Sequence, residues 1–537
     1  MIPEVINYEA DVLIIGAGGA GARAALEAGR AGVEVTLVCR SPVGRGGATP
    51  TANGGYAVAN IEGDSPEIHA EELIRVGCFL NDRDLVRTLT QDSMQEAKFL
   101  ASIGARIQWN LAPSRGVLIP GREMMRAMSR EIKKLRNIRV YEDVMALRIL
   151  TGPDGAAGAV LWNIRESKLI VCRSKKTILA VGSLGEIYPV TALEPMGLPT
   201  GSTGGGYVMA ALAGAELVDM EMTQFPFAPL KPTLARNMRY TNLKAKKLNA
   251  DGKEFMKPGI GAYSHHAALA VVQEYDEGRG PVRIDLTDQP ISNVHEDHIA
   301  ADVRDAKMRE FGVTPFQRPV IVHVGLLFMM GGVSIDVNAR TTLPNLFAAG
   351  EVSGNMHGAN RVPGNALTDI IVYGAIAGRV AAADAGKTRD LPQFDKQTAD
   401  EVRNMIDQHT REKAQGMSAM KIKDEIRATM GKNANLIRDG EKLKSAIERL
   451  SELELLLPEM KTGGLQSRYD TRLVDALDAR FMLKAAQIVC FSAIAREESR
   501  GFHYRSDFPE EREEWLKHTM LKIRDGKIEV GSRPVRV

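Results

Sequence analysis

The sequence has little cysteine and little net charge. Its four cysteines, Cys39, Cys78, Cys172 and Cys490, are far apart in 537 residues and form no CxxC pair. Zinc sites and iron–sulfur clusters need closely spaced thiolates, so we expect no metal site, and we expect reduced thiols rather than disulfides. The 69 basic and 67 acidic residues nearly cancel. This balance gives no support for a nucleic-acid partner, because that function needs a concentrated basic face.

The sequence also lacks long apolar runs. The N-terminal stretch has no basic region before its apolar residues, and no later segment reaches the roughly 18 uncharged apolar residues that a spanning helix needs. We therefore predict no direct membrane span, and a cytoplasmic protein that associates with a membrane only through a partner.

What the sequence does contain is a globular composition with many clustered glycines. Hydrophobic residues make up 44% and charged residues 25% of the chain, which excludes a disordered protein. The length exceeds that of one typical domain severalfold. The 51 glycines cluster, which indicates places where the backbone approaches a ligand closely.

A glycine-rich turn lies between the first predicted strand and the first predicted helix. The apolar run from Val12 to Ile15 predicts a buried parallel strand. Gly16, Gly18 and Gly21 follow it in the GxGxxG spacing. This spacing lets the backbone approach a pyrophosphate, which the free N–H groups and partial positive charge of a helix N-terminus then bind. We therefore predict a dinucleotide at this turn.

The acidic residue that usually binds the ribose about 20 residues after such a turn is missing. The second predicted strand, residues 33–38, is followed instead by Cys39, Arg40 and Ser41. We assign Arg40 and Ser41 to the cofactor site, with Cys39 and Ser41 as the two alternatives for the ribose contact.

Further glycine-bearing segments complete the predicted cofactor site. A third strand delivers Glu351 to a glycine-bearing crossing, although Glu351 taken alone could simply cap a strand end. A helix is predicted to begin near Asn365, where its dipole would stabilise an electron-rich group such as the pyrimidine edge of a reduced flavin. The predicted cofactor contacts in these segments are Gly46, Gly47, Ala48, Thr49, Asn53, Gly54, Gly55, Ala180, Gly182, Glu351, Asn365, Ala366 and Leu367.

Composition changes along the chain predict its organisation. Residues 138–180 are typical of antiparallel strands, with a turn at 152–155. Residues 226–318 gain Lys, Pro, His and Asp and lose strand periodicity, which favours an inserted domain. Beyond about residue 390 the chain is mostly amphipathic helix, for example from Glu441 to Leu456.

Four stretches carry a resemblance that extends over nearly the whole chain. They are GAGGAG with RGGAT and NGG; ILAVGSLGEIYP; FMMGG with AAGEVSGNMHGANRVPGNALTD; and AREESRGFHYRSDFPEEREEWLKH. In this order they resemble the fumarate reductase/succinate dehydrogenase flavoprotein family, which also includes L-aspartate oxidase. The resemblance implies an α/β fold with a Rossmann-like FAD-binding domain (1–225 and 319–390), an inserted α+β capping domain (226–318) and a C-terminal helical domain (391–537).

The resemblance also predicts how FAD is held. Respiratory members of the family attach FAD through a histidine in the loop before the glycine pair. The matching position in this chain is Ala48, so we expect FAD to be bound non-covalently.

Positions that match the family's substrate site depart from its pattern. The histidine that usually follows Gln-Phe is Pro226, and the histidine that usually precedes Met-Gly-Gly is Leu327. Both ends of a dicarboxylate need cationic or donor groups, so these losses put fumarate and succinate in doubt. Arg361 survives and can grip one carboxylate, and we assign Arg361, Gly331 and Gly332 to substrate binding.

The family's proton-transfer arginine is replaced by the pair His265 and His266. Imidazole titrates near neutral pH, so we take His265, His266 and Arg361 as candidate catalytic residues. The alternative is that the histidines are ordinary polar residues at a helix start. His323 is a further candidate, or else a core histidine.

The tail from Arg500 to Asp507 places several charged groups in one loop. We expect structural ion pairing there, and we expect Trp515 to pack a helix against the core.

These observations predict an FAD-dependent oxidoreductase that moves a hydride between flavin N5 and a small carboxylated substrate, which need not be a dicarboxylate. The alternative is an electron-transfer flavoprotein that serves a larger complex, with an iron–sulfur partner and a different anionic substrate. A sulfur-oxyanion reductase of the adenylylsulfate type is a more distant option.

Overall fold

The computed structural model describes residues 5–52, 54–110, 115–191, 201–229, 245–256, 264–285, 287–288, 319–410, 415–461, 466 and 468–536. The predicted cofactor residue Asn53 and much of the predicted capping segment lie outside the described residues.

The strands and helices are numbered here in chain order. The strands are β1 (Val5–Ile15), β2 (Val35–Val38), β3 (Gly55–Tyr56), β4 (Val117–Leu118), β5 (Ile138–Tyr141), β6 (Val144–Gly152), β7 (Gly155–Asn163), β8 (Lys168–Leu179), β9 (Leu217–Val218), β10 (Thr223–Gln224), β11 (Phe227–Pro229), β12 (Lys246–Leu248), β13 (Val282–Asp285), β14 (Val320–Val324), β15 (Phe328–Met329), β16 (Gly332–Val333), β17 (Leu346–Ala348), β18 (Ile437–Arg438), β19 (Tyr504–Arg505), β20 (Lys517–Arg524) and β21 (Lys527–Pro534). The helices are α1 (Gly19–Arg30), α2 (Pro66–Val76), α3 (Arg83–Ser102), α4 (Gly121–Ile132), α5 (Gly205–Leu212), α6 (His265–Asp276), α7 (Asn365–Lys387), α8 (Lys396–Thr410), α9 (Ala419–Asn433), α10 (Gly440–Leu456) and α11 (Thr471–Ala495).

The largest sheet carries the predicted cofactor turn. Its strand order is β5-β2-β1-β8-β7-β6, and β17 pairs with the C-terminal end of β8, beyond the residues that pair with β7. β1, β2, β5, β8 and β17 are parallel, whereas β6, β7 and β8 form an antiparallel meander. The predicted turn at 152–155 is confirmed as the β6–β7 hairpin. Ligands of such parallel sheets bind at the carboxyl ends of the strands, which is where β1, β8 and β17 deliver their glycines.

Helices α1 and α7 pack backbone to backbone. A Cβ atom on Gly374 or Gly378 would lie 2.7 Å or 2.3 Å from the carbonyl oxygens of Ala20 and Ala24 in α1, respectively. Because the contacts ascend in both helices, the helices run in the same direction. At a rise of 1.5 Å per residue, the N-terminus of α7 lies about 12 Å beyond that of α1.

Helix α7 is also apolar and long enough to cross a membrane by length and composition. However, 72% of its apolar window is buried inside the fold, as is typical of the core helix of a globular protein.

A second sheet lies in the segment predicted as the capping domain. Its antiparallel order is β11-β14-β13-β12, and α6 packs against it. β14 belongs to this sheet although the predicted FAD-binding part resumes at residue 319. The domain boundaries themselves remain predictions.

The C-terminal region is helical from α8 to α11, and the predicted helix at 441–456 is confirmed as α10. The last residues differ from the prediction, because Trp515 ends a 3₁₀ turn and β20–β21 then form a hairpin on β9. Asp525 and Gly526 both have positive φ at its tip, and Asp-Gly is a turn signal that the sequence did offer. The Trp515 ring stacks under two cations instead, at 5.5 Å from Arg496 and 4.4 Å from Lys517.

Candidate active site

The first glycine turn is shaped by contacts within the protein at two of its three glycines. Gly16 has φ +104°, and a Cβ there would lie 2.2 Å from the Ala180 carbonyl oxygen. A Cβ on Gly21 would lie 1.8 Å from the Gly16 carbonyl oxygen. Gly18 has an ordinary φ of −70°, and its nearest neighbour would be Thr49 Oγ1 at 3.8 Å. The protein's own packing therefore leaves Gly18 room for a side chain, and space for a ligand remains in front of it.

The second glycine-rich loop folds onto the start of α1. Thr49 Oγ1 accepts a hydrogen bond from the Gly19 N–H at 3.1 Å, and Gly46 packs so closely on Ser41 that a Cβ would meet its hydroxyl. Gly47 and Gly182 have positive φ and no heavy atom within 4 Å of a built Cβ. Both glycines therefore border open space.

The methyl group of Ala48, in the same loop, offers no atom for covalent attachment of a cofactor.

Residues 54–57, which follow the second glycine-rich loop, contact the start of α7. Gly54 packs against the Ile119 backbone, and Gly55 lies opposite Gly364, 3.9 Å from its Cα to a built Cβ. Thr368 Oγ1 donates to the Ala57 carbonyl at 2.8 Å. Segments far apart in sequence, at 16–21, 46–52 with 54–57, and 364–368, are therefore brought together.

Helix α7 begins at Asn365, as predicted. The Asn365 side chain is fully buried, and its Oδ1 lies 3.0 Å from His69 Nε2 of α2. First-turn amides of a helix have no intrahelical acceptor, so the Ala366 and Leu367 N–H groups can serve a ligand. Burial lowers the pKa of His69 to about 4, and the nearby Arg115 acts in the same direction.

Glu351 lies at the turn after β17. Its Oε1 accepts the Met329 N–H at 2.9 Å, and the carboxyl group is buried. Burial raises the pKa of Glu351 to about 7, although the Met329 amide, the Ser183 hydroxyl and the Arg361 charge act in the opposite direction. A polar group that can be neutral or ionised near pH 7 therefore faces the junction of β8 and β17.

The residues that follow β2 have protein partners. Arg40 donates to both oxygens of Asp478 in α11, at 2.9 and 2.8 Å. Burial raises the pKa of the Cys39 thiol to about 12. Cys39 therefore offers a neutral thiol, and Ser41 the only hydroxyl of the two ribose alternatives.

Arg361 is the best-defined cation of the substrate side. It is 5% exposed, and its Nε donates to Gln224 Oε1 at 3.1 Å while the Gln224 amide donates to the Arg361 carbonyl at 3.0 Å. Its guanidinium lies over the Phe328 ring, 4.7 Å from the centroid. Phe328 and Met329 are consecutive in β15, so Arg361 and Glu351 both contact this strand.

Gly331 and Gly332 have a packing explanation. A Cβ on Gly331 would lie 2.0 Å from the Asp219 carbonyl oxygen, and a Cβ on Gly332 would lie 2.5 Å from that of Val352. The structure therefore accounts for both glycines by close backbone contact, and their role in substrate binding remains a prediction.

His265 and His266 form the first turn of α6. Their rings lie 3.9 Å apart, and the His265 ring meets Phe502 edge-on at 6.2 Å. Phe502 in turn donates its N–H to the Ala359 carbonyl at 3.0 Å, two residues before Arg361. His265 is thus linked to the segment that carries Arg361 through Phe502, while His266 is exposed.

The protonation state of His265 differs from the simple expectation of a group that titrates near neutral pH. Its Nδ1 is buried and has no hydrogen-bond partner among the described residues. Burial lowers the pKa of His265 to about 4, and His266 adds to the shift. His265 is therefore neutral at pH 7 in the unliganded site.

His323 lies in β14, and Pro226 and Leu327 lie in the short links between strands. The His323 ring packs on Tyr275 at 4.5 Å, so it belongs to the packing of β14 against α6. The Leu327 N–H donates to the Gln224 carbonyl, and the Pro226 carbonyl accepts from Gly325. At both positions that depart from the family pattern, the backbone thus forms hydrogen bonds beside the β10–β15 strand pair, which contains Gln224.

Sequence reasoning missed Gln224, Phe328 and Phe502 as parts of the site. Gln224 stood in a recognised motif, and a buried amide beside a buried arginine is a useful signal once both are placed. Phe502 lies in the tail loop, where the predicted ion pairing is confirmed, for example by Arg505 and Asp507 at 2.7 Å. Nothing in its spacing pointed to His265.

Three features fit FAD: parallel strands that end in glycine turns, glycines that border open space, and two helix N-termini offset by about 12 Å along the shared helix direction. These features define an FAD-dependent oxidoreductase. The family model described as "FAD binding domain" matches residues 11–367, and "Fumarate reductase flavoprotein C-term" matches residues 423–537. The chain belongs to the fumarate reductase/succinate dehydrogenase flavoprotein family and binds FAD non-covalently.

Relatives of several kinds share this sequence and fold. The chain is 35% identical to a subunit of the CoM/CoB fumarate reductase of Methanothermobacter marburgensis, over 96% of this chain and 97% of that protein. It is 31% identical to L-aspartate oxidase of Caulobacter vibrioides, over 94% of each chain. The quinol fumarate reductase FrdA of E. coli superposes with a TM-score of 0.90 at 24% identity, over 99% of this chain and 97% of that one.

Proposed function

We propose that this flavoprotein oxidises or reduces a small substrate whose carboxylate is bound by Arg361. The observation that carries the proposal is the geometry of Arg361, which is buried, clamped by Gln224 and next to the strand that holds Glu351. A buried arginine can bind a carboxylate bidentately. When bound, FAD supplies hydride chemistry at its N5 atom.

The substrate need not be a dicarboxylate. Leu327 and Pro226 stand where family members usually have histidines, and neither side chain donates a hydrogen bond. We infer a substrate with one carboxylate at Arg361 and a less polar opposite end.

His265 is the proposed proton-transfer residue. Among the described residues its buried Nδ1 has no hydrogen-bond partner, and the neutral ring can accept a proton. The negative charge of a carboxylate bound near His265 would raise its pKa, so the same atom could return the proton in the other direction.

FAD contacts are assigned to the backbone of the two glycine loops, to Gly182, to Glu351 and to the first-turn amides of α7. Gly18 and the loop at 46–49 border the helix N-terminus that suits a pyrophosphate. Ala366 and Leu367 would donate to the electron-rich edge of the flavin ring.

We further propose that the chain works in a complex beside an iron–sulfur protein, and that any membrane association is through such partners. The relative from Methanothermobacter marburgensis is by name one subunit of its enzyme. Among the described residues, no group of His, Cys, Asp and Glu side chains could hold a metal ion, and all four cysteines are free. Copurification with a cysteine-rich protein that contains iron and sulfide would support this role; a monomer that turns over with a soluble donor alone would contradict it.

Anaerobic titration of the dithionite-reduced protein tests the substrate class. Crotonate, a monocarboxylate, and fumarate, a dicarboxylate, should be compared with crotonamide, which has the same shape as crotonate but no charge. We expect flavin reoxidation by the acids, more readily by crotonate, and none by the amide. Failure of every unsaturated acid, or equal reoxidation by the amide, would contradict the proposal.

A further inference from the structure

A buried arginine from the C-terminal region holds the segment that leads into Gln224. Arg438 of β18 is fully buried. Its Nη2 donates to Thr223 Oγ1 at 2.7 Å, and its Nη1 donates to the Glu221 carbonyl at 2.8 Å. The two contacts bracket residues 221–223, so the guanidinium fixes the path of the chain immediately before Gln224.

Gln224 transmits that placement to Arg361. The Gln224 side-chain amide accepts a hydrogen bond from Arg361 Nε and donates one to the Arg361 carbonyl. It therefore holds both the side chain and the backbone of Arg361. Gln224 also pairs with Phe328 across β10 and β15, and the Phe328 ring supports the Arg361 guanidinium. A shift of Thr223 therefore moves two of the groups that orient Arg361.

Arg438 is itself fixed in place. Its Nε donates to the Asn435 carbonyl at 2.7 Å. Its Nη1 lies 2.8 Å from His503 Nδ1, which must accept, because a guanidinium has only donors. His503 therefore carries its proton on Nε2, which faces the Arg496 carbonyl at 3.3 Å. Burial lowers the pKa of His503 well below its usual value, with Arg438 and Arg496 acting in the same direction, so the neutral ring persists.

The loop that supplies His503 also reaches Arg361 from the other side. Phe502 bonds to the Ala359 carbonyl, and a Cβ on Gly501 would lie 2.2 Å from that same oxygen. β18 pairs with β19, and the Ser506 N–H closes on the Arg438 carbonyl at 2.8 Å. Loop and arginine thus form one unit that touches the chain on both sides of the carboxylate site.

We propose that Arg438 is a positioning residue for Arg361, acting through Thr223 and Gln224, so that the C-terminal region sets the geometry of the substrate carboxylate site. The inference rests on the role of Arg361 in the proposed function. It assigns Arg438 no contact with substrate or cofactor.

The test measures carboxylate binding to the full-length, FAD-loaded protein from the change in the oxidised flavin spectrum, with crotonate and fumarate as probes. Arg438→Lys keeps the charge but cannot span both acceptors, and we expect the Kd for the acid to rise about tenfold. Thr223→Val removes only the hydroxyl acceptor and should raise the Kd about threefold. FAD content should stay that of the wild type in both variants.

Arg23→Lys is the matched control, because Arg23 of α1 is also buried but bonds to Glu96 of α3 rather than to the unit formed by Arg438 and the tail loop. It should lower the thermal midpoint and leave the Kd unchanged. A double-mutant cycle with Gln224→Met separates positioning from general loosening. Arg438→Lys should add little to the Gln224→Met loss if both act through one path, whereas independent effects would multiply.

The outcomes distinguish the inference from the function on which it rests. If Arg361→Lys weakens carboxylate binding but Arg438→Lys and Thr223→Val bind as the wild type does, the positioning role is wrong and the proposed function stands. If neither acid perturbs the wild-type flavin, the carboxylate site fails and the positioning role with it. Should Arg438→Lys not fold, Thr223→Val and the Gln224→Met cycle on it decide the question.

Discussion

The cofactor side and the substrate side of this site are built in different ways. On the cofactor side, backbone meets backbone: Gly16 and Gly21 leave no space for a Cβ atom, and Gly374 and Gly378 let α7 lie directly on α1. On the substrate side, side chains meet side chains, as in the clamp between Gln224 and Arg361. Backbone contact demands glycine at fixed spacings, whereas a side-chain clamp leaves no spacing rule in the sequence.

The contrast also concerns where the parts come from. The cofactor opening uses segments that each carry a visible motif. The substrate side uses Gln224, Phe328, Arg361, His265 and a tail loop that contains Phe502, and only their tertiary arrangement relates them. Substitutions on the two sides should therefore fail differently, and the following predictions use that difference.

Gly21→Ala should have the largest effect, because its methyl group would lie 1.8 Å from the Gly16 carbonyl oxygen. We expect loss of bound FAD and a fall in the free energy of unfolding of about 3 kcal/mol or more. Flavin absorbance after gel filtration and denaturant unfolding measure the two effects.

Gly18→Ala is the control for that prediction, since its methyl group would have 3.8 Å of clearance from Thr49. It should leave the unfolding of the FAD-free protein unchanged and still weaken FAD binding, because only the ligand would meet the methyl group. Unchanged FAD affinity in Gly18→Ala would show that the cofactor does not pass this turn closely.

Arg361→Lys should spare the cofactor side and disable the substrate side. Loss of the bidentate contact and of the Gln224 clamp should lower kcat/KM for an unsaturated acid by about 10²–10³-fold. FAD content and reduction by dithionite should remain normal. An equal loss of FAD would mean that the two sides are not separable.

His265→Asn should lower kcat by about 100-fold if His265 moves the proton. Rapid reoxidation kinetics across pH 5–9 would show the loss together with the disappearance of one limb of the profile. His266→Asn is the matched control, since His266 is exposed. Equal effects of the two substitutions would instead indicate a role for the pair in packing the start of α6.

Glu351 should give the protein a measurable pH dependence of stability. Its folded-state pKa of about 7 exceeds the unfolded value of 4.5. The contribution is therefore fully present below about pH 4.5 and is lost as the pH rises through about 7. Relative to Glu351→Gln, the FAD-free wild type should lose about 3 kcal/mol of unfolding free energy between pH 4.5 and 8. Parallel stability curves for the two proteins would contradict this.

The same contrast explains what the sequence could predict. The GxGxxG turn, the strand before Glu351 and the helix at Asn365 follow from local rules, because glycine spacing and helix starts are properties of neighbouring residues. The clamp of Arg361 by Gln224 does not, since it depends on the pairing of β10 with β15. The turn signal at Asp525 and Gly526 could have predicted the β20–β21 hairpin, but this segment was included in the predicted helical domain.

Arg40 was assigned to the FAD site, but its side chain bonds to Asp478 of α11. Substitutions at this pair therefore test whether Arg40 binds the cofactor or only joins two regions of the protein. The bidentate pair joins the end of β2 to α11 and is mostly buried, so Arg40→Lys should cost about 1–2 kcal/mol of unfolding free energy. Asp478→Asn should cost a similar amount.

FAD affinity then separates the two roles of Arg40. If the arginine also contacts the cofactor, Arg40→Lys should weaken FAD binding severalfold while Asp478→Asn does not. Arg449→Lys on α10, a half-exposed arginine paired with Glu425 and Glu452, should change stability by no more than about 0.5 kcal/mol and FAD affinity not at all. Equal FAD affinities in the Arg40 and Asp478 variants would make Arg40 a tie between regions only, and would leave the ribose end of the cofactor to Ser41.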